Sequence, residues 1–486
     1  MRKRFEAQLT LGCTPIHEIE IPVKSRDEFP AFLRAMQYIY TNRDLSEKIY
    51  SLLESKICAN KKKTGRPGMN LWTIFVLAGT RLCLNTDYDR LHYLANHDVL
   101  LRQMLGVHDG MVKGRDFERQ TIIDNVQLLD DETLRSINLV IVEAGHRVVK
   151  KKETEALRIK IDSFVTEANV HYPTDYNLLW DSGRKCLDLI DRLLEYESSY
   201  YGIDSDKTES WRRQLKNNML TLSRVLAKKN MKKNKSHQER VDKATNEYLE
   251  TARKMSVILN RIMGIVPTTL EEFILLEDMK YFILMLDKHI DLVDRRLLKG
   301  ETIPHEEKIF SIFEPWVEWI CKGKVHKPVE LGKRTGIASD QWHFIIDWQV
   351  ADHQQDNQML IPAIDRILQH FTVSACSGDR GYFSKIDVDL IELFGIQAYI
   401  PKKGKCSIIQ LQKESDPAFI EARNRHNAVE SNINELEHRG LDRCPDKGIK
   451  GMHRYVGLAV IAYNLRRIGS ILLKEDREAE KLRRAA

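Results

Sequence analysis

Several absences narrow what this chain can be. None of its eight cysteines (Cys13, Cys58, Cys83, Cys186, Cys321, Cys376, Cys406 and Cys444) forms a CxxC pair. Neither a disulfide framework nor a zinc knuckle is indicated, and reduced, mostly structural thiols are expected. No uninterrupted apolar run approaches the roughly 20 residues of a membrane span. The basic start, MRKRFEAQLTLGCTPIHEIE, lacks the long apolar segment and small-residue cleavage site of a secretory leader. A cytoplasmic protein with no membrane partner is expected. Proline is missing from Thr174 to Val266 and glycine is sparse there, which leaves long helices as the natural reading of that stretch. An excess of one charge sign is also lacking, since 76 Lys and Arg stand against 70 Asp and Glu, a net charge of only +6.

What is present is an ordinary globular composition, 42% hydrophobic and 30% charged, in a chain long enough for several domains and a large core. The small basic excess is concentrated in runs. KKKTGRP supplies Lys61, Lys62, Lys63 and Arg66, VVKKK spans residues 148–152, and AKKNMKKNKSHQER supplies Lys232, Lys233 and Lys235. Clustered Lys and Arg release counterions from a phosphate backbone, so nucleic acid is the natural partner. A solvated loop or helix face is the other reading of each run.

The hydrophobic period divides the chain. Up to about Lys63 it is mixed, with a helical stretch around Phe29 to Cys58; from there to residue 150 it is helical, with the apolar LWTIFVLAGTRLCL, a helix that Thr86 or Asp87 can cap, and a stretch from about Gln120 to Glu143. Short helices with polar turns behind a Lys/Arg arm suit a compact domain of the helix-turn-helix kind. At LRIKIDSFVTEANV the period changes to 2, with Leu157, Ile159 and Ile161 on one face and Arg158, Lys160 and Asp162 on the other. Long helices follow to Gly300. Strand character then returns in KVHKPVELGKRT, WHFIIDWQV, FTVSACSGDRGYFS and IQAYIPKKG, with helices at NQMLIPAIDRILQH and RNRHNAVESNINELEHRG. The pattern is a mixed α/β layer interrupted once by a helical block.

Three carboxylates stand at different elements of that layer: Asp162 on the first strand, Asp379 at a later strand end, and Glu430 on the last of these helices. Brought together they would call for a cation, and Mg²⁺ or Mn²⁺ prefers such oxygen ligands. Two ions stabilise the attacking and leaving oxygens of a phosphodiester displacement. Taken singly, each acid also reads as a strand end, a turn aspartate beside Arg380, or a surface helix residue. Asp347 would serve as well by type alone. On the last helix Val429, Ile433 and Leu436 form an apolar stripe, and Arg423, His426, Asn427 and Glu430 fall on a polar one.

The segments IDSFVTEANVHYPTD, SGDRGYFS, HNAVESNINELEHRGLDR and YVGLAVIAYNLRRIG, in this order, resemble the DDE transposases of bacterial insertion sequences, most of all the ISNCY group. The GRPGMNLWTIFVLAGTRLCLNTDYDRLHYLANHDVLLRQMLG segment is similar to the helical domain that precedes their catalytic core. The resemblance implies an RNase H-like core (residues 155–175 and 304–470), interrupted by a helical insertion (176–303). A helical DNA-binding domain (1–150) precedes it and a charged tail (471–486) follows. It implies that Asp162, Asp379 and Glu430 hold two divalent ions, Mg²⁺ or Mn²⁺. Separations of 217 residues between the aspartates and 51 between Asp379 and Glu430 then place the insertion in the first interval. A related group carries Tyr, Arg and Lys around its glutamate where this chain has Arg423, His426 and Glu437, so those helper roles do not transfer. Arg423 and His426 remain candidates for a phosphate contact, and Arg425 and Arg439 have no assigned role.

The implied function is metal-dependent cleavage at the element's ends and strand transfer into target DNA, performed by a homodimer on double-stranded DNA. The rivals are an RNase H-like nuclease without strand transfer and a non-cleaving DNA-binding regulator derived from such an enzyme.

Overall fold

The computed structural model describes residues 2–5, 13–59, 68–107, 116–195, 202–227, 235–321 and 328–485. Lys61, Lys62, Lys63, Arg66, Lys232 and Lys233 lie outside the described residues.

Among these, seven α-helices precede the sheet: α1 (Phe29–Thr41), α2 (Arg43–Ile57), α3 (Leu71–Cys83), α4 (Tyr88–His97), α5 (Val99–Met104), α6 (Arg119–Val126) and α7 (Asp131–Val148). Short polar residues start them. Asn42, Asn70, Asp87, Asp98 and Asp130 each accept a backbone N–H from the first turn, where the helix itself offers no acceptor. Asp130 thereby divides the Gln120 to Glu143 stretch into α6 and α7. Every residue of α3 is buried, as its all-round apolarity requires.

Strand β1 (Leu157–Ala168) leads into four helices, α8 (Asp175–Leu194), α9 (Ser205–Leu226), α10 (Lys235–Ile262) and α11 (Leu270–Val293). They belong to a compact unit, Val170–Val317, with a core of its own that includes Leu187, Leu215, Tyr248, Leu249, Met279 and Leu286. Thr174, Asp204 and Thr269 cap the starts of α8, α9 and α11. Lys235, the described member of its basic run, is exposed at the start of α10.

The other unit comprises Met1–Asn169 and Glu318–Ala486. After the insertion its chain runs β2 (Glu318–Cys321), β3 (Val329–Ser339), β4 (Ile345–Val350), α12 (Asp356–Leu368), β5 (Val373–Gly378), α13 (Lys385–Leu393), β6 (Gln397–Tyr399), α14 (Ile408–Glu414), α15 (Pro417–Leu436), β7 (Arg443–Cys444) and α16 (Ile449–Ala485). Across the sheet the order is β4-β3-β1-β5-β6. β3 runs antiparallel to both β1 and β4, and β5 and β6 continue from β1 in parallel. β2 pairs with one end of β3, and β7 with the end of β1. This is an RNase H-like mixed sheet, interrupted after its first strand by a long helical insertion and preceded by an all-α region.

α16 ties the helices to the sheet. Asn464 donates to Asn138 Oδ1 on α7 (2.8 Å) and to the Ile345 carbonyl on β4 (2.8 Å), and accepts from Ile345 N–H (2.9 Å). Gly469 is required there, because a Cβ would fall 1.6 Å from the Ala31 carbonyl oxygen on α1. α16 is long and apolar enough to cross a bilayer, yet 83% of its most apolar stretch is buried inside the fold, the condition of a core helix. The charged tail, expected to fray, instead continues α16 to Ala485, with Asp476 paired to Arg34 at 2.8 Å.

Candidate active site

The period-2 pattern of β1 puts Arg158, Lys160 and Asp162 on one face of the sheet. Neighbouring β5 is parallel, with Lys160 opposite Ser377 and Ile161 opposite Gly378. The next position on each strand is an aspartate, so Asp162 and Asp379 stand side by side where β5 ends. Ser377, two residues before Asp379 and on the same face, meets α15 through a 3.2 Å contact between its Oγ and His426 Nδ1. Both aspartates therefore face the side of the sheet that α15 covers.

α15 is held by Phe419, His426, Val429, Asn432, Ile433 and Leu436, all buried. Glu430 lies one turn beyond His426, exposed at the edge of that packed face, on the same rim as Arg423 and Asn427. The opposite rim, with Glu421, Arg425 and Ala428, meets the earlier strand positions Arg158, Lys160 and Ser374. Glu430 lies on the other rim, away from these positions. The three acids offer hard carboxylate oxygens, the donors that Mg²⁺ and Mn²⁺ prefer, so by type the donor set suits the ions implied by the resemblance.

Backbone donors orient both aspartates. Ser163 N–H donates to Asp162 Oδ1 (2.7 Å) and Gly381 N–H donates to Asp379 Oδ1 (2.7 Å). A further carboxylate, Asp356, escaped sequence reasoning because it is brought in by the first turn of α12. It accepts from Ser163 Oγ (2.6 Å) and pairs with Arg334 (2.5 Å). Asp356 Oδ2 and Asp379 Oδ1 each lie 2.9 Å from the place a Cβ on Gly381 would take, so any larger residue there would push one or both carboxylates aside. Buried Tyr382 sits beneath: burial first, then the negative charges of Asp356, Asp162 and Asp379, hold its phenol protonated well above the ordinary range. No sequence signal distinguishes Asp356 from the many other acids at helix starts.

The ligand atoms of Asp162, Asp379 and Glu430 do not all lie within 4.8 Å of one another. Among the described residues one group of three does: Glu318 of β2 with Asp352 and His353 of the turn before α12. Two carboxylates and an imidazole can chelate a metal ion. In an RNase H-like core this capacity supports metal-dependent, nuclease-like hydrolysis in general. Lys333 Nζ, however, lies 2.6 Å from Glu318 and 2.7 Å from Asp352, and its hydrogen bond lowers the Asp352 pKa. An ion entering this group must displace that ammonium.

Other expected residues fall as follows. Arg423 is exposed. His426, expected to reach a phosphate, is instead buried at 8% exposure against Ser377. Asp347 is also buried and is committed to Arg135 (3.0 Å) and Arg366 (2.7 Å). Arg425 pairs with Glu421 (2.6 Å), and Arg439 pairs with Glu28.

Burial is the main reason the His426 ring titrates at about 4 rather than the ordinary 6.5. Between these values the unfolded chain binds the proton and the folded chain does not, so stability falls as pH drops through this window. His426→Gln is expected to flatten the dependence of unfolding free energy on pH there, by about 3 kcal/mol in total. Equal slopes for wild type and variant, measured by denaturant titration from pH 7 to 4, would contradict this.

No protein family, curated protein or solved structure matches this chain.

Proposed function

We propose that the protein is a DDE-type transposase, which cleaves DNA at the ends of its own element and joins the freed 3′-hydroxyl to target DNA. The observation that carries this reading is the placement of Asp162 and Asp379 side by side on parallel strands, facing the helix that bears Glu430. In this reading the three carboxylates hold two divalent ions, Mg²⁺ or Mn²⁺. When bound, such ions neutralise phosphoryl charge and activate a water or hydroxyl oxygen.

The chain's own residues do the positioning. The N–H groups of Ser163 and Gly381 fix the rotation of the two aspartates. His426, set against Ser377, seats α15 on β5 and so fixes the height of the rim that carries Glu430. Arg423, exposed on that rim, can donate to a backbone phosphate oxygen. The basic runs and the N-terminal helices would hold double-stranded DNA, both the terminal inverted repeats and the target. Two ends must be processed together, which calls for a homodimer, and the reaction belongs in the cytoplasm at the nucleoid.

Strand transfer separates this reading from a nuclease of the same fold. Incubated with Mg²⁺, duplexes carrying the inverted repeats that flank the coding region and a target plasmid, the protein is expected to give joined products. Cleavage without joining would favour the nuclease. Metal-independent binding with no cleavage would favour the regulator.

A further inference from the structure

α15 has two rims, and the proposed cleavage uses one of them. Beside the other lies a cavity of about 740 Å³, walled by β1, β5, β6 and α15. Arg158 and Lys160 of β1 and Arg425 of α15 line it, against one lining carboxylate, that of Glu421, which pairs with Arg425 at 2.6 Å. The wall therefore carries an excess of positive charge. Lys160 is only 8% exposed, and its Nζ donates to the Asp340 carbonyl at 3.2 Å. Burial costs this ammonium its hydration; the nearby Asp340 carboxylate offsets part of that cost, while Arg158 and Arg425 add to it, so an anion in the cavity relieves the arrangement. The cavity is far larger than a lone phosphate needs and falls in the range of small-molecule sites. Gln397 and Asn424 add amide groups to its lining, and Tyr399 adds an aromatic wall.

We propose that this cavity binds a nucleotide, with its phosphate against Arg158, Lys160 and Arg425 and its base along Tyr399, edged by Gln397 and Asn424. Charge-assisted bonds suit the phosphate, and amide edges with an aromatic face suit a base. A free mononucleotide and the unpaired terminal nucleotide of a DNA strand share this chemistry. None of the six residues belongs to the proposed metal-ligand set, so the inference stands or falls separately from strand cleavage.

The test is isothermal titration of the full chain with each deoxynucleoside monophosphate, in EDTA so that cleavage chemistry is silent. Saturable binding at one site is expected for at least one nucleotide. Arg158→Gln or Arg425→Gln should weaken it about tenfold, the scale of one charge-assisted contact. Lys474→Gln, an exposed position on α16, should leave it unchanged. Both arginines are exposed, and unchanged melting curves for the variants confirm that folding is not the cause. Competition against a labelled duplex with a one-nucleotide 3′ overhang decides the source: displacement by the mononucleotide assigns the cavity to a strand end, and saturation without displacement assigns it to free nucleotide. The proposal is overturned if no nucleotide binds saturably, if inorganic phosphate binds as tightly, or if neither arginine variant changes the affinity.

Discussion

Asp162→Asn and Asp379→Asn are each expected to reduce metal-dependent cleavage of duplex DNA by about 10³-fold or more. Removing one anionic ligand forfeits several kcal/mol of transition-state charge stabilisation, and each ~1.4 kcal/mol is a factor of ten in rate. The fold should survive both changes. An asparagine oxygen can still accept the N–H of Ser163 or Gly381 that now reaches the aspartate. Asp379 is also exposed, so losing its charge exposes no buried partner. DNA binding should persist, because it rests on cations elsewhere in the chain. Initial rates with Mg²⁺, measured beside melting curves and binding isotherms, test this directly. Undiminished cleavage by either variant removes that residue from the site.

The largest effect on stability is expected at Arg81, far from the proposed chemistry. Its guanidinium, 2% exposed, pairs with Asp446 at 2.6 Å and lies 4.0 Å above the Tyr88 ring and 5.3 Å from that of Tyr455. It joins α3 to the segment that leads into α16. Arg81→Met leaves the Asp446 charge buried with only Arg454, at 3.5 Å, to answer it. Breaking a buried pair from one side costs about 3–5 kcal/mol. Removing both charges together, as Arg81→Met with Asp446→Leu, should recover part of that loss, because the buried carboxylate is gone and only Arg454, 11% exposed and paired at the longer 3.5 Å, loses a partner. Denaturant unfolding of the two variants measures the difference. A loss below about 1 kcal/mol for Arg81→Met would mean the pair is solvated and surface-like.

The sheet was largely legible because its strands carry the two patterns that sequence shows best. β1 alternates strictly enough to predict which side chains share a face with Asp162. The helical insertion announces itself by its lack of proline from Thr174 to Val266; its caps at Thr174, Asp204 and Thr269 emerge only in the structure. What stayed hidden depends on contacts between distant segments. Asp356 reaches the aspartates only because α12 begins beside Ser163. The Glu318–Asp352–His353 group exists because β2 and the turn after β4 meet around Lys333. His426 sits at the edge of the packed face of α15, where helical spacing alone does not separate buried from solvated, and Ser377 decides it. The charged end of α16 reads as a frayed tail by composition, but it continues the helix to Ala485 and meets α1 through the Arg34–Asp476 pair.

Among the described residues Glu318, Asp352 and His353 are grouped closely enough to chelate a metal, whereas the central claim assigns the chemistry to Asp162, Asp379 and Glu430. Mg²⁺-dependent DNA cleavage should therefore be measured side by side for Glu430→Gln and Glu318→Gln. If Asp162, Asp379 and Glu430 form the active site, Glu430→Gln loses cleavage while Glu318→Gln keeps most of it. The reverse pattern, with cleavage lost on changing Glu318 and kept on changing Glu430, would contradict the assignment.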